Sequence, residues 1–323
     1  MSLPVFQAVK RLAMGDSVFP QQVTVGMRDP QCEITVWLHG LGKSGSDARD
    51  VTNRHVMACV DPLTLGVVFD RSWPVPPESA KLCLRFVERR GRKRLLGEIR
   101  LAGAGEPFGE DGLRLFRVRG SSNYCLPKPR LWAHFAYLWY RRWRFNNNPE
   151  IKITPREAHT MVAFFICPRP VVLVSVRDGD EGNVFPMNLM GPISGEKFAF
   201  ALNSTRHAAP IVVKARRAAI SNVPLTEADL AKALGRNHLK TSIDLSDLPF
   251  NSRPSHTFGF PVPDFAVRVR ELEIEASRRL GSHTFFVARL VHDEKLTVAQ
   301  EFFYVHGIYQ SWRVRNLAAL AAR

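Results

Sequence analysis

The sequence lacks long apolar runs. No stretch of 18 or more apolar residues occurs, so the chain of 323 residues offers no candidate transmembrane helix. Its first residues also lack the basic start and long apolar core of a secretory signal peptide. Hydrophobic residues nevertheless make up 45% of the chain, which is enough to bury sizeable cores. We therefore expect a globular, cytoplasmic protein with more than one domain.

Cysteine is scarce and never forms a C-x-x-C pair. The chain has five cysteines, which are Cys32, Cys59, Cys83, Cys125 and Cys167. Their wide spacing supports neither a disulfide framework nor a zinc site, so we expect reduced and mostly buried thiols. The ten histidines also lack a metal-binding spacing such as H-E-x-x-H. No metal is expected.

Several catalytic and nucleotide-binding motifs are missing or incomplete. WLHGLG at residues 37–42 is similar to the oxyanion loop of α/β-hydrolases, but no G-x-S-x-G follows in the chain. GKS at residues 42–44 resembles the end of a P-loop, yet Trp37 stands where the first glycine is required. GLGKSG at residues 40–45 fits G-x-G-x-x-G after the predicted strand at 33–38, but it lacks the helical pattern that must follow in a dinucleotide site. These absences argue against a hydrolase and against a dinucleotide site of the Rossmann type.

Positive charge is abundant and spread along the chain. The net charge is +15, and Lys and Arg outnumber Asp and Glu by 23 to 14 in residues 1–150 and by 22 to 16 in residues 151–323. Such a charge attracts nucleic acid, anionic lipid or phosphorylated ligands. The densest cluster, RRGRKR at residues 89–94, lies between two strand patterns and predicts a hairpin with a charged tip. That tip is either a solvated loop or a nucleic-acid contact.

The N-terminal half reads as mainly β. Six strand regions are predicted, at residues 22–27, 33–38, 55–59, 64–69, 80–101 (the hairpin) and 113–119. A small barrel or sandwich is the expected outcome. Thr52-Asn53-Arg54-His55 echoes the later Thr205-Arg206-His207. A single echo without a repeating period does not establish a duplicated barrel or a second phosphate contact.

An aromatic helix is predicted over residues 129–145. A proline begins it, NNNP at residues 146–149 ends it, and Leu131, Phe135, Leu138 and Trp139 fall at helical spacing on one face. The remaining Trp and Tyr residues widen the apolar surface, and three arginines follow at its end. The helix could be clamped between the domains or at a dimer interface, where Trp, Tyr and Arg are enriched. An anionic membrane surface or a nucleic acid is the alternative partner.

Strand patterns open the C-terminal half after a predicted helix start at residues 154–157. β-branched apolar residues at 169–176 predict a buried strand, and DGDEG at 178–182 predicts a tight turn. The motif NVFPMNLMG occupies residues 183–191, and KFAFAL at 197–202 predicts the next strand.

The NSTRH motif at residues 203–207 stands directly before a helical pattern over residues 208–216. A helix N-terminus has unpaired N–H groups and partial positive charge, so Ser204, Thr205 and Arg206 would together form a phosphate cradle. The guanidinium adds a two-pronged donor that suits phosphate oxygens. Alternatively, Ser204 or Thr205 caps the helix and Arg206 lies in solvent.

These pieces, completed by GSH at residues 281–283, resemble in their order the flavin reductase-like family, the FMN-binding split barrels that include flavoredoxins. The resemblance covers residues 155–312 of the chain. It implies that FMN lies in a groove of the barrel, usually at a homodimer interface, with NAD(P)H as a possible electron donor. Two positions depart from the family pattern: Ala208 stands where the family often has Thr, and Ser282 where it often has Asp.

The resemblance also implies which residues contact the flavin. The groups are Asn183, Pro186, Asn188 and Met190 against the ring, Ser204, Thr205, Arg206 and His207 on the phosphate, and His283 approaching from a later strand. No residue is assigned a catalytic role, because hydride passes from nicotinamide to flavin and the cofactor carries the chemistry. Tyr304 and His306 are expected either near the open side of the flavin or buried in a strand.

The remaining C-terminal elements follow from periodicity. A helix is predicted over residues 225–234, ended by Gly235. Alternation of apolar and charged residues over 264–275 predicts a strand with one face in the core. Strands over residues 283–291 and 301–309 are expected to complete the barrel.

The predicted fold class is mainly β, a β-rich α+β protein. We predict a smaller β-rich domain over residues 1–127, an aromatic linking helix over 128–153 and an FMN-binding split β-barrel over 154–323. The predicted function is an FMN-binding flavoprotein, either an NAD(P)H-dependent flavin reductase or a related electron-transfer oxidoreductase. The alternative is a non-catalytic split-barrel binding protein whose basic surface engages nucleic acid or a protein partner.

Overall fold

The computed structural model describes residues 19–28, 33–42, 47–109, 112–145 and 154–321. Cys32 and the residues expected to end the aromatic helix, 146–149, lie outside this part of the chain. Cys59, Cys83, Cys125 and Cys167 are unpaired thiols, as expected. In the described residues no helix has both the length and the apolar character needed to span a membrane.

The N-terminal half is one antiparallel sheet with an additional first strand. The strands are β1 (Val23–Met27), β2 (Ile34–His39), β3 (Ala48–Asp50), β4 (His55–Val60), β5 (Leu63–Val68), β6 (Cys83–Glu88), β7 (Leu95–Leu101), β8 (Glu106–Pro107) and β9 (Leu113–Asn123). The sheet order is β3-β2-β6-β7-β9-β5-β4, with β8 on β9. One end of β9 pairs with β5 and the other with β7, so the sheet curls. The predicted strands of this half are confirmed.

The C-terminal half forms a second curled sheet. The strands of this half are β10 (Arg169–Pro170), β11 (Val172–Asp178), β12 (Glu181–Met187), β13 (Met190–Ser194), β14 (Lys197–Asn203), β15 (Arg217–Asn222), β16 (Ser252–Pro254), β17 (Pro261–Pro263), β18 (Arg268–Leu280), β19 (His283–Lys295) and β20 (Glu301–Val305). Seven of them have the order β12-β11-β15-β18-β19-β14-β13. The molecule is therefore mainly β, as predicted.

The described residues include five α-helices beside the sheets. They are α1 (Lys128–Phe145), α2 (Pro155–Phe164), α3 (Ala208–Ala215), α4 (Ala228–Ala233) and α5 (Gly307–Ala321). Helix α3 packs against the C-terminal sheet and buries Ala208, Ala209, Ile211 and Val212 in the same core as its strands. Helix α2 begins with a capping box between Thr154 and Glu157, which confirms the predicted helix start.

The two sheets share one strand order. When β2, β3, β4, β5, β6, β7 and β9 are matched in chain order to β11, β12, β13, β14, β15, β18 and β19, the two sheet orders coincide. The Thr52–His55 echo does not mark this repeat: it precedes β4, whereas Thr205–His207 follows β14, the counterpart of β5. Strand pairing is non-local, so the repeat is visible in the fold and not in the sequence.

The core of the N-terminal half includes elements from the end of the chain. Strand β20 pairs with β1 and β10 in a separate three-stranded sheet, and Tyr309 and Trp312 of α5 pack in the same core as β2 and β6. The expected barrel strand over residues 301–309 is thus wrong, since the strand ends at Val305 and leaves the barrel to pair with β1. The predicted boundaries at 127 and 153 stay a prediction, and the core they divide contains residues from both sides.

Helix α1 is covered along part of its apolar surface. Leu131 and Phe135 pack against the N-terminal core, and the Phe135 ring stacks on His159 of α2 at 3.3 Å between centroids. Trp132, Trp139 and Trp143 are 70%, 64% and 74% exposed. Of the face predicted from helical spacing, Leu131 and Phe135 are thus packed, whereas Trp139 is exposed. Contact with α2 involves the first turns of α1, so the later aromatic residues remain at the surface.

Two local predictions have different outcomes. The basic hairpin tip is confirmed: β6 and β7 flank residues 89–94, residues 89–93 are exposed, and Arg94 turns back to pair with Glu88 at 3.1 Å. Gly235 does not end a helix. The segment continues past it as a 3-10 helix, Leu234–Leu239, because tertiary contacts with β12 hold the chain there.

Buried histidines make the fold sensitive to acid. Burial lowers the pKa of His134 to about 4 and of His306 to about 3, and the two rings pack 5.6 Å apart. These folded-state pKa values lie below the unfolded value of about 6.5. The stability that the two neutral rings contribute is therefore fully present above pH 6.5 and is lost as the pH falls towards 4.

We expect His134→Phe to flatten the dependence of stability on pH. One pKa unit corresponds to about 1.4 kcal/mol, so the shift at His134 contributes up to about 3 kcal/mol of acid destabilisation. Urea unfolding at pH 7 and pH 4.5 measures the difference. The exposed His256 gives the control substitution, His256→Phe, which should leave the difference as in the wild type. An unchanged difference in His134→Phe would contradict the assignment.

Candidate functional site

The NSTRH segment lies at the N-terminus of α3. Strand β14 ends at Asn203, whose Oδ1 accepts hydrogen bonds from the Thr205 backbone N–H (2.9 Å) and hydroxyl (2.8 Å). Helix α3 starts at Ala208 and has no side-chain cap. The alternative of a Ser204 or Thr205 cap is therefore wrong. No side-chain hydroxyl therefore caps the N-terminus of α3.

Strand β19 places His283 beside this segment. Asn203 and His283 are opposite each other in the β14–β19 pairing. The Ser204 backbone N–H donates to the Ser282 carbonyl oxygen (2.9 Å), and the Ser204 and Thr284 hydroxyls are 3.0 Å apart. Residues separated by some 80 positions in the chain are thus joined, and the structure brings His283 to the NSTRH segment.

His283 is a neutral ring held by the N-terminal half. Its Nδ1 is 2.8 Å from the Ser282 hydroxyl, which accepts a hydrogen bond from the Asp61 backbone N–H (3.0 Å). Burial lowers the pKa of His283 to about 4, so the ring is uncharged at neutral pH. The Ser282 hydroxyl is then free to donate to Nδ1, which leaves the ring proton on Nε2. His283 can therefore offer a neutral N–H donor to a bound molecule.

His238 connects the NSTRH segment to the motif at residues 183–191. Its carbonyl oxygen accepts from the His207 backbone N–H (3.0 Å), and its Nε2 is 2.8 Å from the Pro186 carbonyl oxygen. Burial lowers the pKa of His238, and the nearby Arg206 guanidinium lowers it further. Sequence reasoning missed this residue, because no local pattern marks it and its role arises from contacts 31 and 52 positions away.

The predicted ring-contacting residues occupy different environments. Asn183 is fully buried on β12, and its Nδ2 donates to the carbonyl oxygens of Asn237 (3.0 Å) and Lys240 (2.9 Å). Met190 is also buried and packs in the barrel core. Pro186 and Asn188 are half-buried. The amide of Asn183 therefore anchors the Leu234–Leu239 segment, and Pro186 and Asn188 each keep part of their surface exposed.

The predicted phosphate residues are accessible. Thr205 and His207 are exposed, and Ser204 and Arg206 are half-buried. An uncapped helix N-terminus with an adjacent guanidinium is the donor set that a phosphate group requires. The residues present thus fit the phosphate of FMN, and the neutral His283 lies next to them.

Tyr304 and His306 lie apart from this site. Tyr304 is on β20 opposite Arg169 and Thr24, and His306 packs against His134 with its backbone N–H bonded to the Phe165 carbonyl oxygen (3.0 Å). Of the two expectations for these residues, burial is the one that holds for His306, which is 2% exposed.

Comparison with protein families agrees with this geometry. The family model for the flavin reductase like domain matches residues 164–313. This part of the chain is a flavin reductase-like domain, which supports flavin binding and a flavin-related oxidoreductase function. None of the curated proteins compared with the chain matches it.

Solved structures include several similar chains. The FMN-binding protein from Thermus thermophilus with bound p-hydroxybenzaldehyde is 28% identical over 40% of this chain and 72% of its own, with a TM-score of 0.35. The NADH:FAD oxidoreductase of Streptomyces globisporus C-1027 is 16% identical over 49% and 94%, with a TM-score of 0.42. The styrene monooxygenase flavin reductase of Pseudomonas putida S12 is 18% identical over 45% and 95%, with a TM-score of 0.36.

Proposed function

We propose that the domain at residues 164–313 binds FMN and that the protein is an NAD(P)H-dependent flavin reductase or a related electron-transfer oxidoreductase. The observation that supports this best is the junction of the uncapped α3 N-terminus, Arg206 and the neutral His283 at one place. The family match over the same residues agrees with it.

The residues of the site hold different parts of the flavin. The backbone at the start of α3, with Ser204, Thr205, Arg206 and His207, holds the phosphate. Pro186 and Asn188 line the ring, while Asn183 and Met190 support them from the buried side. His283 donates its Nε2 proton as a hydrogen bond. When bound, FMN supplies the hydride-accepting chemistry, so no side chain of the chain is assigned to proton transfer.

Colour tests the proposal. The purified protein, reconstituted with FMN and separated from free flavin, is expected to show flavin absorption that NADH or NADPH bleaches without air. Free FMN at the same concentration is the control. Retained flavin that neither nucleotide bleaches would remove the reductase assignment and keep the flavoprotein. A protein that retains no flavin would contradict both.

FMN is expected to bind more tightly than FAD. The start of α3 offers a single phosphate site, and the G-x-G-x-x-G at residues 40–45 lies between the strands β2 and β3 rather than before a helix that could hold a pyrophosphate. Calorimetric titration with the two flavins measures the difference. Equal or tighter binding of FAD would contradict the assignment of this segment to one phosphate.

A homodimer with closed twofold symmetry is the expected assembly, because the resemblance places the flavin groove at an interface between subunits. Light scattering of the purified protein, with and without FMN, measures the mass. A monomer that still retains FMN would contradict this expectation.

A second candidate function is binding of nucleic acid. The exposed Trp132, Trp139 and Trp143 of α1 and the net charge of +15 favour it, because bases stack on aromatic rings next to cations. Fluorescence titration with single-stranded oligonucleotides, at two salt concentrations, tests the idea. Trp139→Ala should weaken such binding. The absence of salt-dependent binding would exclude this function.

A further inference from the structure

A cavity of about 460 Å³ lies between the two halves of the molecule. Its walls include Thr52, Asn53 and His55 from the N-terminal half, and Met190, Phe198, Arg268 and Arg270 from the C-terminal sheet, with Arg169 and Phe303 between them. The volume falls within the range of small-molecule sites. Neither the NSTRH segment nor His283 lines this cavity, and Met190 alone is shared with the proposed flavin site.

The lining of the cavity is positively charged. Four arginines face two carboxylates, the six residues being Arg28, Arg169, Arg268, Arg270, Asp293 and Glu301. His55 adds no charge, because burial and the neighbouring Arg169 lower its pKa to about 3. The described lining therefore carries an excess of two positive charges.

Both carboxylates already have partners in the C-terminal sheet. Asp293 pairs with Arg268 and lies 3.6 Å from the Nε of Arg270. Glu301 accepts a hydrogen bond from the Asn222 amide (2.5 Å), and the Asn222 Oδ1 accepts from Arg270 (2.9 Å). This network neutralises part of the charge of Arg268 and Arg270. It does not reach Arg169.

Arg169 is a buried cation whose one described hydrogen-bond partner is neutral. It is 5% exposed, and its Nη2 donates to His55 Nε2 (2.7 Å). Because His55 Nδ1 is 2.8 Å from the Val51 carbonyl oxygen and donates to it, Nε2 is the unprotonated acceptor. The guanidinium lies 3.8 Å from the Phe164 ring centroid. In the described part of the chain Nε has no partner and no carboxylate pairs with Arg169.

Two other partly buried arginines of the chain are paired with carboxylates. Arg94 contacts Glu88 at 3.1 Å, and Arg313 contacts Glu33 at 2.8 Å. A buried charge without a counter-charge is strongly unfavourable, and burial correspondingly lowers the pKa of Arg169. An anion in the adjoining cavity would remove that penalty.

We propose that this cavity binds a phosphate-bearing small molecule. A phosphate monoester carries up to two negative charges, which matches the excess of the lining, and the Arg169 fork suits its oxygens. The buried rings of Phe198 and Phe303 provide an apolar wall for the organic part. The proposal stands independently of the proposed flavin site.

Calorimetry with phenyl phosphate, inorganic phosphate and benzoate tests the proposal. Arg206→Ala serves as the background, because it disables the other proposed phosphate cradle. Phenyl phosphate is expected to bind this variant as it binds the wild type, and more tightly than inorganic phosphate or benzoate. Arg169→Met in either background should weaken phenyl phosphate binding at least about tenfold, the effect of losing a charge-assisted contact. FMN affinity should remain unchanged in Arg169→Met.

Two further measurements guard against a misfolded variant. Arg169→Lys keeps the charge and should retain part of the affinity. In the wild type, phenyl phosphate should slow alkylation of Cys167, which lines the cavity, and leave the rate at Cys83 on β6 unchanged, as peptide mass spectrometry measures. Benzoate binding as tightly as phenyl phosphate, equal affinity in Arg169→Met, or no protection of Cys167 would each overturn the proposal.

Discussion

Replacing Arg206 with alanine is expected to weaken FMN binding at least about tenfold. The Thr205 hydroxyl bonds to Asn203, and the Ser204 hydroxyl lies beside Thr284, so both are neutral donors at most. A charge-assisted hydrogen bond contributes about 1.5–3 kcal/mol, against about 1 for a neutral hydroxyl, and about 1.4 kcal/mol corresponds to a factor of ten. Thr205→Ala should therefore cost less than Arg206→Ala. Fluorescence titration with FMN measures both.

The control variants separate phosphate contact from charge. Arg236→Ala removes an exposed arginine from the neighbouring 3-10 segment and should leave FMN affinity as in the wild type. Arg206→Lys should recover part of the loss, because a point charge lacks the two-pronged geometry. Riboflavin, which has no phosphate, should bind the wild type and all four variants alike. If FMN affinity is unchanged in Arg206→Ala, or riboflavin suffers equally, Arg206 does not hold phosphate.

A Gly281→Ala substitution is expected to destabilise the fold strongly. Gly281 has φ +59°, and a Cβ there would lie 2.2 Å from the Asp61 carbonyl oxygen and 2.5 Å from Pro62 Cδ. The two halves of the molecule meet at this point, where Ser282 exchanges hydrogen bonds with Asp61. We expect a loss of about 1–2 kcal/mol from the left-handed backbone and a further ~1–3 kcal/mol from the clash. Urea unfolding measures the sum.

Gly179 provides a matched control. It also has φ +59° in a hairpin turn, but a Cβ there would have no neighbour within 4 Å. Gly179→Ala should therefore show the backbone cost alone, and the difference between the variants gives the cost of separating Asp61 from Gly281. Because Ser282 also orients His283, Gly281→Ala should lower FMN affinity and Gly179→Ala should not. Equal losses of stability in the two variants would contradict this account of the contact.

Local patterns explain how far the site could be predicted. Strand β14, the NSTRH segment and α3 follow one another in the chain, so apolar alternation and the change to a helical pattern placed them correctly. The resemblance added His283 through the order of motifs. His238 and Arg169 were not found, because their importance depends on burial and on partners 31 to 114 positions away. A histidine beside a helix and an arginine before a strand look ordinary in sequence.

By itself, the sequence determined the mainly β class, the longer strands of the N-terminal half, the capped start of α2 and a flavin reductase-like segment, because these follow from side-chain periodicity and short motifs. The tertiary structure decided what depends on pairing between distant residues. It placed β20 beside β1 rather than in the barrel, showed that the two sheets share a strand order, and formed a cavity around Arg169 between the halves. Hydrogen bonds between strands leave no pattern in the local sequence. Strand order and the contacts between the halves are therefore visible only in the folded chain.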